Sequence, residues 1–187
     1  MTPLQRLLSS LTAIMRPASH ARDQERLTIG NAAIVLPSGW ILLKTDEELT
    51  SARSSDGHQR VTMSILRFKA KASFEDFKQL CSHRIEAEKK VLEDGFVEAD
   101  APFQNSGSFG MFFFGGDKKV RRTFSGYLFL EKNELITIYV EGVGVALKEH
   151  LLTFQTIVKS LKRRQLVGRC STHSIDTHRT LSKVYAR

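Results

Sequence analysis

At 187 residues, with 41% hydrophobic and 26% charged residues, the chain has the make-up of one globular domain with extensions, able to bury roughly 70% of its unfolded surface. It lacks the ~20-residue apolar run of a membrane helix, and two cysteines, Cys81 and Cys170, exclude a disulfide framework and suit a reducing compartment. The net charge of +8 is uneven: residues 162–187 carry a net +6, whereas 1–25 and 26–161 carry +1 each, so the basic character speaks of the tail's partner and not the domain's.

In chain order, Leu4, Leu7, Leu8, Leu11, Ile14 and Met15 form an apolar stripe at helical spacing that Pro17 ends. Three readings compete. A secretory signal is opposed by Ser9, Ser10, Thr12 and the Arg16-Pro17 pair; a transit peptide is consistent with the lack of acids before Asp23. The reading adopted is a short amphipathic helix that docks on its own domain or on a partner. Residues 18–26 form a polar linker. Leu27–Leu36 reads as a strand closed by the turn Pro37-Ser38-Gly39. Trp40-Ile41-Leu42-Leu43 resumes extended structure, with Trp40 as a core anchor. Thr45–Gly57 is polar and ends in the turn Asp56-Gly57. Arg60–Phe68 alternates Val61, Met63 and Ile65 with Thr62, Ser64 and Leu66, a half-buried strand.

Ser73 caps a helix with Glu75 and Asp76 in its first turn. Phe74, Phe77, Leu80, Cys81, Ile85, Val91 and Leu92 mark its inner side, and Gly95 stops it. Phe96–Phe103 reads as a strand limited by Pro102. Gln104–Gly107 is a loop, Phe109–Phe114 a strongly apolar strand, and Gly115-Gly116-Asp117-Lys118 a turn. Val120–Leu130, the turn Glu131-Lys132-Asn133 and Glu134–Glu141 form a hairpin. Gly142 and Gly144 end it, and Leu147, Leu151, Phe154, Val158 and Leu161 mark one face of a last helix. Neither strands nor helix can hide an apolar face alone, so the helix must lie on the sheet. The expected fold class is α+β, two main helices on a mostly antiparallel sheet of six or seven strands. The domain divides as 1–26, 27–161 and 162–187, and the basic extension lacks a steady apolar period.

No catalytic set or cofactor motif emerges. Gly110–Asp117 has the glycines of a phosphate loop, but Gly116 and Asp117 stand where Lys and Ser or Thr are required. Neither a G-x-S-x-G elbow nor a G-x-G-x-x-G turn is present. His58, His83 and His150 are scattered and read as surface or capping residues. Cys170, His173, Asp176 and His178 offer ligand types that zinc accepts, but without a second cysteine pair adventitious binding is the expectation. The tail's arginines could meet phosphates, yet only Tyr185 is there to stack on a base.

The layout from Leu27 to Arg163 resembles the PsbP-like fold, an α-β-α sandwich shared by the photosystem extrinsic protein, the Ran-binding nuclear import factor and bacterial DcrB-like proteins. The residues that carry the resemblance are Ile34-Val35-Leu36-Pro37-Ser38-Gly39-Trp40, the helix opening Ser73-Phe74-Glu75-Asp76-Phe77, its end Leu92-Glu93-Asp94-Gly95-Phe96, and the final helix Leu147–Leu161. In layout it is similar to the effector-associated (Eag) chaperones of type VI secretion. The resemblance implies a binder and not an enzyme, although fold alone does not settle function.

The leading expectation is therefore a non-catalytic cytoplasmic bacterial protein that binds one secreted toxin or effector, as its loading chaperone or its immunity partner, without cofactor or metal. A homodimer is compatible with the layout. A chaperone would present an apolar sheet face through Met111, Phe113, Tyr127 and Phe129, whose alternative is plain core. Arg163, Arg164 and Arg169 are the candidate cationic contacts. The alternative expectation is a nucleic-acid or anionic-surface binder acting through the tail, with salt-sensitive affinity.

Overall fold

The hairpin turning at Lys132 and Asn133 is the centre of the molecule. The computed structural model describes residues 25–163. The elements are β1 (Arg26–Ile29), β2 (Ala32–Val35), β3 (Ile41–Thr45), β4 (Leu49–Arg53), β5 (Gln59–Arg67), α1 (Phe74–Lys90), β6 (Gly95–Ala99), β7 (Phe103–Asn105), β8 (Ser108–Asp117), β9 (Arg122–Glu131), β10 (Glu134–Val143), α2 (Leu147–Lys159) and β11 (Lys162–Arg163). The large sheet has eight strands in the order β3-β4-β5-β10-β9-β8-β6, with β7 also pairing β8; a second sheet runs β1-β2-β11. Every pairing is antiparallel. The hairpin turn also ties down β5, because Asn133 Nδ2 donates to the Phe68 carbonyl at 3.0 Å and its own carbonyl accepts from Phe68 N at 2.8 Å.

Strand parity assigns the two faces. On one, Phe77 and Cys81 of α1 pack on Phe109, Met111, Phe113, Phe124, Leu128, Leu130 and Leu135. On the other, Phe112 stacks on Tyr127 at 4.2 Å and meets Phe154 of α2 edge-on at 6.4 Å. Buried Val61, Met63, Ile65, Ile136, Ile138 and Val140 continue that second face. The small sheet packs against β4 and β5, and α2 against β9, β10 and β2. The result is an α-β-α sandwich with an accessory sheet beside α2. The two helices are where the apolar spacing puts them, and Ser73 forms a full capping box with Asp76.

Several elements differ from the sequence reading. Leu27–Leu36 is a hairpin and not one strand, because Gly30, at φ +54°, and Asn31 turn the chain between Ile29 and Ala32. The polar stretch 45–57 contains β4. Its buried side chains are only the small Thr50, Ser51 and Ala52, and Thr50 Oγ1 is satisfied by the Lys44 carbonyl and Thr45 Oγ1, both at 3.2 Å. α1 is capped at Val91, before Gly95, and Val91 is exposed instead of inward. Phe96–Phe103 is split by Pro102 into β6 and β7. β8 runs through Gly115 and Gly116 to Asp117, and the turn lies at 118–121. β9 starts at Arg122 and β10 continues past Gly142 to Val143. Lys162 and Arg163 pair with Ala33 and Ala32 and form a short strand after Leu161.

Candidate functional site

The four apolar candidates do not form a surface. Met111 is 2% exposed, Phe113 1%, Tyr127 1% and Phe129 7%. Nor do they share a face. Tyr127 stands opposite Phe112, so it and Phe129 lie on the α2 side, while Met111 and Phe113 lie against α1. Because each face already has a helix, these side chains are core, the plainer of the two readings. Burial raises the Tyr127 hydroxyl pKa well above the usual phenol range.

Arg163 is committed inside the domain. Its guanidinium bonds Glu131, Glu134 at 2.7 Å and Asn31 Oδ1 at 2.9 Å, and lies 5.8 Å from the Phe129 ring centroid. It therefore clasps β11 to the β9–β10 turn. Arg163→Ala is expected to lower unfolding free energy by roughly 1–2 kcal/mol, since it takes the guanidinium from Glu131 and leaves Glu134 with Arg67 alone; urea denaturation checks this. Arg164, Arg169 and the Cys170/His173/Asp176/His178 cluster lie outside the described residues, as does the 1–24 stripe.

Charged groups elsewhere in the core are also paired. Buried Glu88 of α1 accepts from Arg84 and from Tyr139 Oη, and Arg122 Nη2 donates to Tyr139 Oη at 2.6 Å. This network ties α1 to β9 and β10. Burial, and secondarily Glu88, push the Tyr139 pKa upward, while burial pushes the Cys81 thiol up to about 12, leaving it protonated and unreactive at neutral pH. His150 is not a surface residue. It is a fully buried residue of α2, its Nε2 lies 3.1 Å from Ser125 Oγ, and its Nδ1 has no hydrogen-bond partner. Burial lowers its pKa to about 4, so the imidazole is neutral.

A depression of about 510 Å³, open to solvent, is lined by residues including Phe96, Lys118, Arg121, Thr123 and Leu147. It offers cations and a hydroxyl but no nucleophile with a base beside it. Among the described residues no group of three or more His, Cys, Asp or Glu side chains could hold a metal ion, and no helix is long and apolar enough to cross a membrane.

The unusual surface is the edge at β3, which ends the large sheet among the described residues. Ile41, Leu42 and Leu43 are 46%, 45% and 47% exposed in succession. The register breaks between Leu42 and Lys44, so a bulge at Leu43 lets three adjacent aliphatic side chains stay outside the core. On the α1 side of the sheet, Arg53 and Arg60 are exposed and stand directly opposite each other on β4 and β5. α1 packs on β6 and β8 at the far end of the sheet, and next to Arg53 on this face only the small side chain of Ser51 is buried. Sequence reasoning placed the Trp40–Leu43 run in extended structure but did not see it as a surface. The available signal was parity, because three consecutive apolar residues in a strand cannot all face one core.

No family model matches the chain, and no curated protein matches it. Solved structures do resemble it. The solution structure of cyanobacterial PsbP (CyanoP) from Synechocystis sp. PCC 6803 aligns with a TM-score of 0.58 at 13% identity, covering 81% of this chain and 99% of that one. LpqN, involved in cell envelope biogenesis of Mycobacterium tuberculosis, aligns with a TM-score of 0.55 at 9% identity, covering 78% and 88%. At such identities the likeness is one of fold, and this chain has the PsbP-like α+β fold.

Proposed function

We propose that the protein is a non-catalytic protein-binding module, a cytoplasmic bacterial partner of one secreted toxin or effector, as its type VI-type loading chaperone or its immunity protein. The observation that carries this reading is the aliphatic edge at β3. Three large apolar side chains in a row at the rim of a sheet are a liability unless a partner covers them. The fold and its layout resemblance to effector-associated chaperones support the same reading. The extensions 1–24 and 164–187 are then additions that tune partner choice around a domain that includes Arg26, Lys162 and Arg163.

The test is co-expression with a secreted toxin or effector encoded beside the gene. The pair is expected to co-elute as one complex, and the double substitution Leu42→Asp, Leu43→Asp to abolish it while leaving the far-ultraviolet circular dichroism unchanged. Absence of such a neighbour, failure of the wild-type pair to associate, or undiminished binding by the double variant would overturn the reading.

A further inference from the structure

We infer that β3 is extended by an added strand from the partner, and that this strand is an acidic one in which carboxylates alternate with aliphatic side chains. The inference deepens the reading of the β3 edge as the binding surface. Three observations combine to give it. β3 ends the order of the large sheet, so among the described residues its outward N–H and C=O groups lack a strand partner. It carries the exposed run Ile41-Leu42-Leu43. Beside it lies a cross-strand pair of like charges, Arg53 opposite Arg60.

That pair indicates the partner's chemistry. Like charges directly opposite one another destabilise a sheet, and among the described residues neither arginine has an ion-pair partner. Acids on neighbouring elements are otherwise engaged. Asp56, in the β4–β5 turn, accepts from Ser54 Oγ and, at 2.9 Å, from His58 N. Glu141, opposite Arg60 on β10, lies 3.7 Å from Arg122. Lys44 of β3 is paired with Asp46 at 2.7 Å.

In register, Ile41 faces Arg53 and Arg53 faces Arg60. A strand added outside β3 therefore places every second side chain on the same face as these residues, next to Ile41. Arg53 lies one strand further in, about 9–10 Å from the added strand at a spacing of ~4.8 Å per strand, a gap that its long side chain spans over Ile41 to meet a carboxylate. The alternate side chains pack on Leu42 from the other face. A second copy of this chain fits poorly, since its β3, Ile41–Thr45, carries no carboxylate to meet Arg53 and brings Lys44 instead. Charge complementarity thus selects a different, acidic chain.

The probe is a nine-residue peptide, acetyl-Thr-Glu-Val-Glu-Ile-Glu-Val-Glu-Thr-amide, titrated into the full-length protein and followed by amide NMR. Two controls accompany it: a twin with Lys for each Glu, and an acidic twin N-methylated at alternate residues, which keeps its charge but cannot complete a ladder. The acidic peptide is expected to shift β3 amides, to bind about tenfold more tightly than the Lys twin, and to lose its binding when N-methylated. The double substitution Arg53→Glu, Arg60→Glu, on exposed side chains, is expected to invert the charge preference.

Equal binding of acidic and basic peptides, undiminished binding of the N-methylated one, shifts confined to residues away from β3, or a protein dimer that excludes the peptide would each overturn the inference. If the natural complex forms through Leu42 and Leu43 while the peptide shows no preference, the inference falls and the proposed function stands. If the peptide binds as expected but no secreted partner exists, the proposed function falls instead.

Discussion

Replacing Gly126 with alanine is expected to lower the melting temperature by about 10 °C. Gly126 lies opposite Phe113 on the neighbouring strand, and a Cβ there would sit 2.1, 2.2 and 2.9 Å from three atoms of the Phe113 ring. The ring has little room to retreat. Phe113 is 1% exposed, its centroid is 6.3 Å from that of Tyr139, and the Arg84 guanidinium lies 5.8 Å from it. Gly126 does not have a left-handed φ, so alanine brings no backbone strain and even restricts the unfolded chain, worth about 0.4–1 kcal/mol in favour of folding. The overlap must outweigh that gain, for a net loss of about 2–3 kcal/mol. Differential scanning calorimetry measures it. Adding Phe113→Leu should recover part of the loss, a coupling expected of residues in contact. A shift of only a degree or two would show that the ring swings aside, and the packing argument would fail.

Acidification is expected to cost roughly 3 kcal/mol of stability between about pH 6.5 and pH 4. The responsible group is His150, whose pKa falls to about 4 in the folded protein from 6.5 because burial disfavours the imidazolium. Between these values the unfolded chain binds a proton that the folded one refuses. His150 therefore contributes its full stability above about 6.5, and this is lost progressively as pH falls towards 4. Its surroundings offer no compensating anion: Nε2 meets the Ser125 hydroxyl, and Nδ1 lies on the side of Gly142, Thr123 and Val145. The carboxylates with lowered pKa act in a separate window. Hydrogen bonds to Asp46, Asp56, Asp76 and Asp117 hold their pKa values below the ordinary 3.8, so their contributions persist until the pH drops through those lowered values. Urea denaturation at a series of pH values checks the slope, which His150→Gln should flatten. A flat profile for the wild type from 6.5 to 4 would refute the assignment.

The long periodic elements were legible in the sequence. The β9–β10 hairpin, β5, both helices and the Ser73 cap follow from apolar spacing and capping chemistry alone, which is enough to give the α+β class. What was hidden depended on tertiary partners. β4 presents Thr50 and Ala52 to the core, side chains too small or polar to announce burial. Gly115 and Gly116 signal a turn by type, yet remain in β8 because rings and backbone of neighbouring strands occupy their side-chain space; a Cβ on Gly115 would lie 2.4 Å from the Phe124 ring. Of the two readings of the apolar candidates, plain core is the one their burial fits. Aromatic richness in β8 and β9 suggested a binding face, but a strand covered on both sides is apolar throughout. The less conspicuous Ile41-Leu42-Leu43 run, at a bulged edge, was the exposed one.

The placement of β1 and β11 on either side of β2 decides how the domain bears a pull. Both run antiparallel to β2, so the chain enters beside Val35, through Arg26, and leaves beside Ala32, through Arg163. Tension drawn through these two points drags β1 and β11 in opposite senses along the strand between them. The ladder is then loaded in shear, with its bonds strained together, and cannot open one rung at a time like a zipper. Ser160 Oγ, accepting from Val35 N at 2.7 Å, and the Arg163 clasp on Glu131 and Glu134 reinforce the same seam. A partner tugging on chain that flanks the domain would thus meet a mechanical latch at the place where most domains fray first.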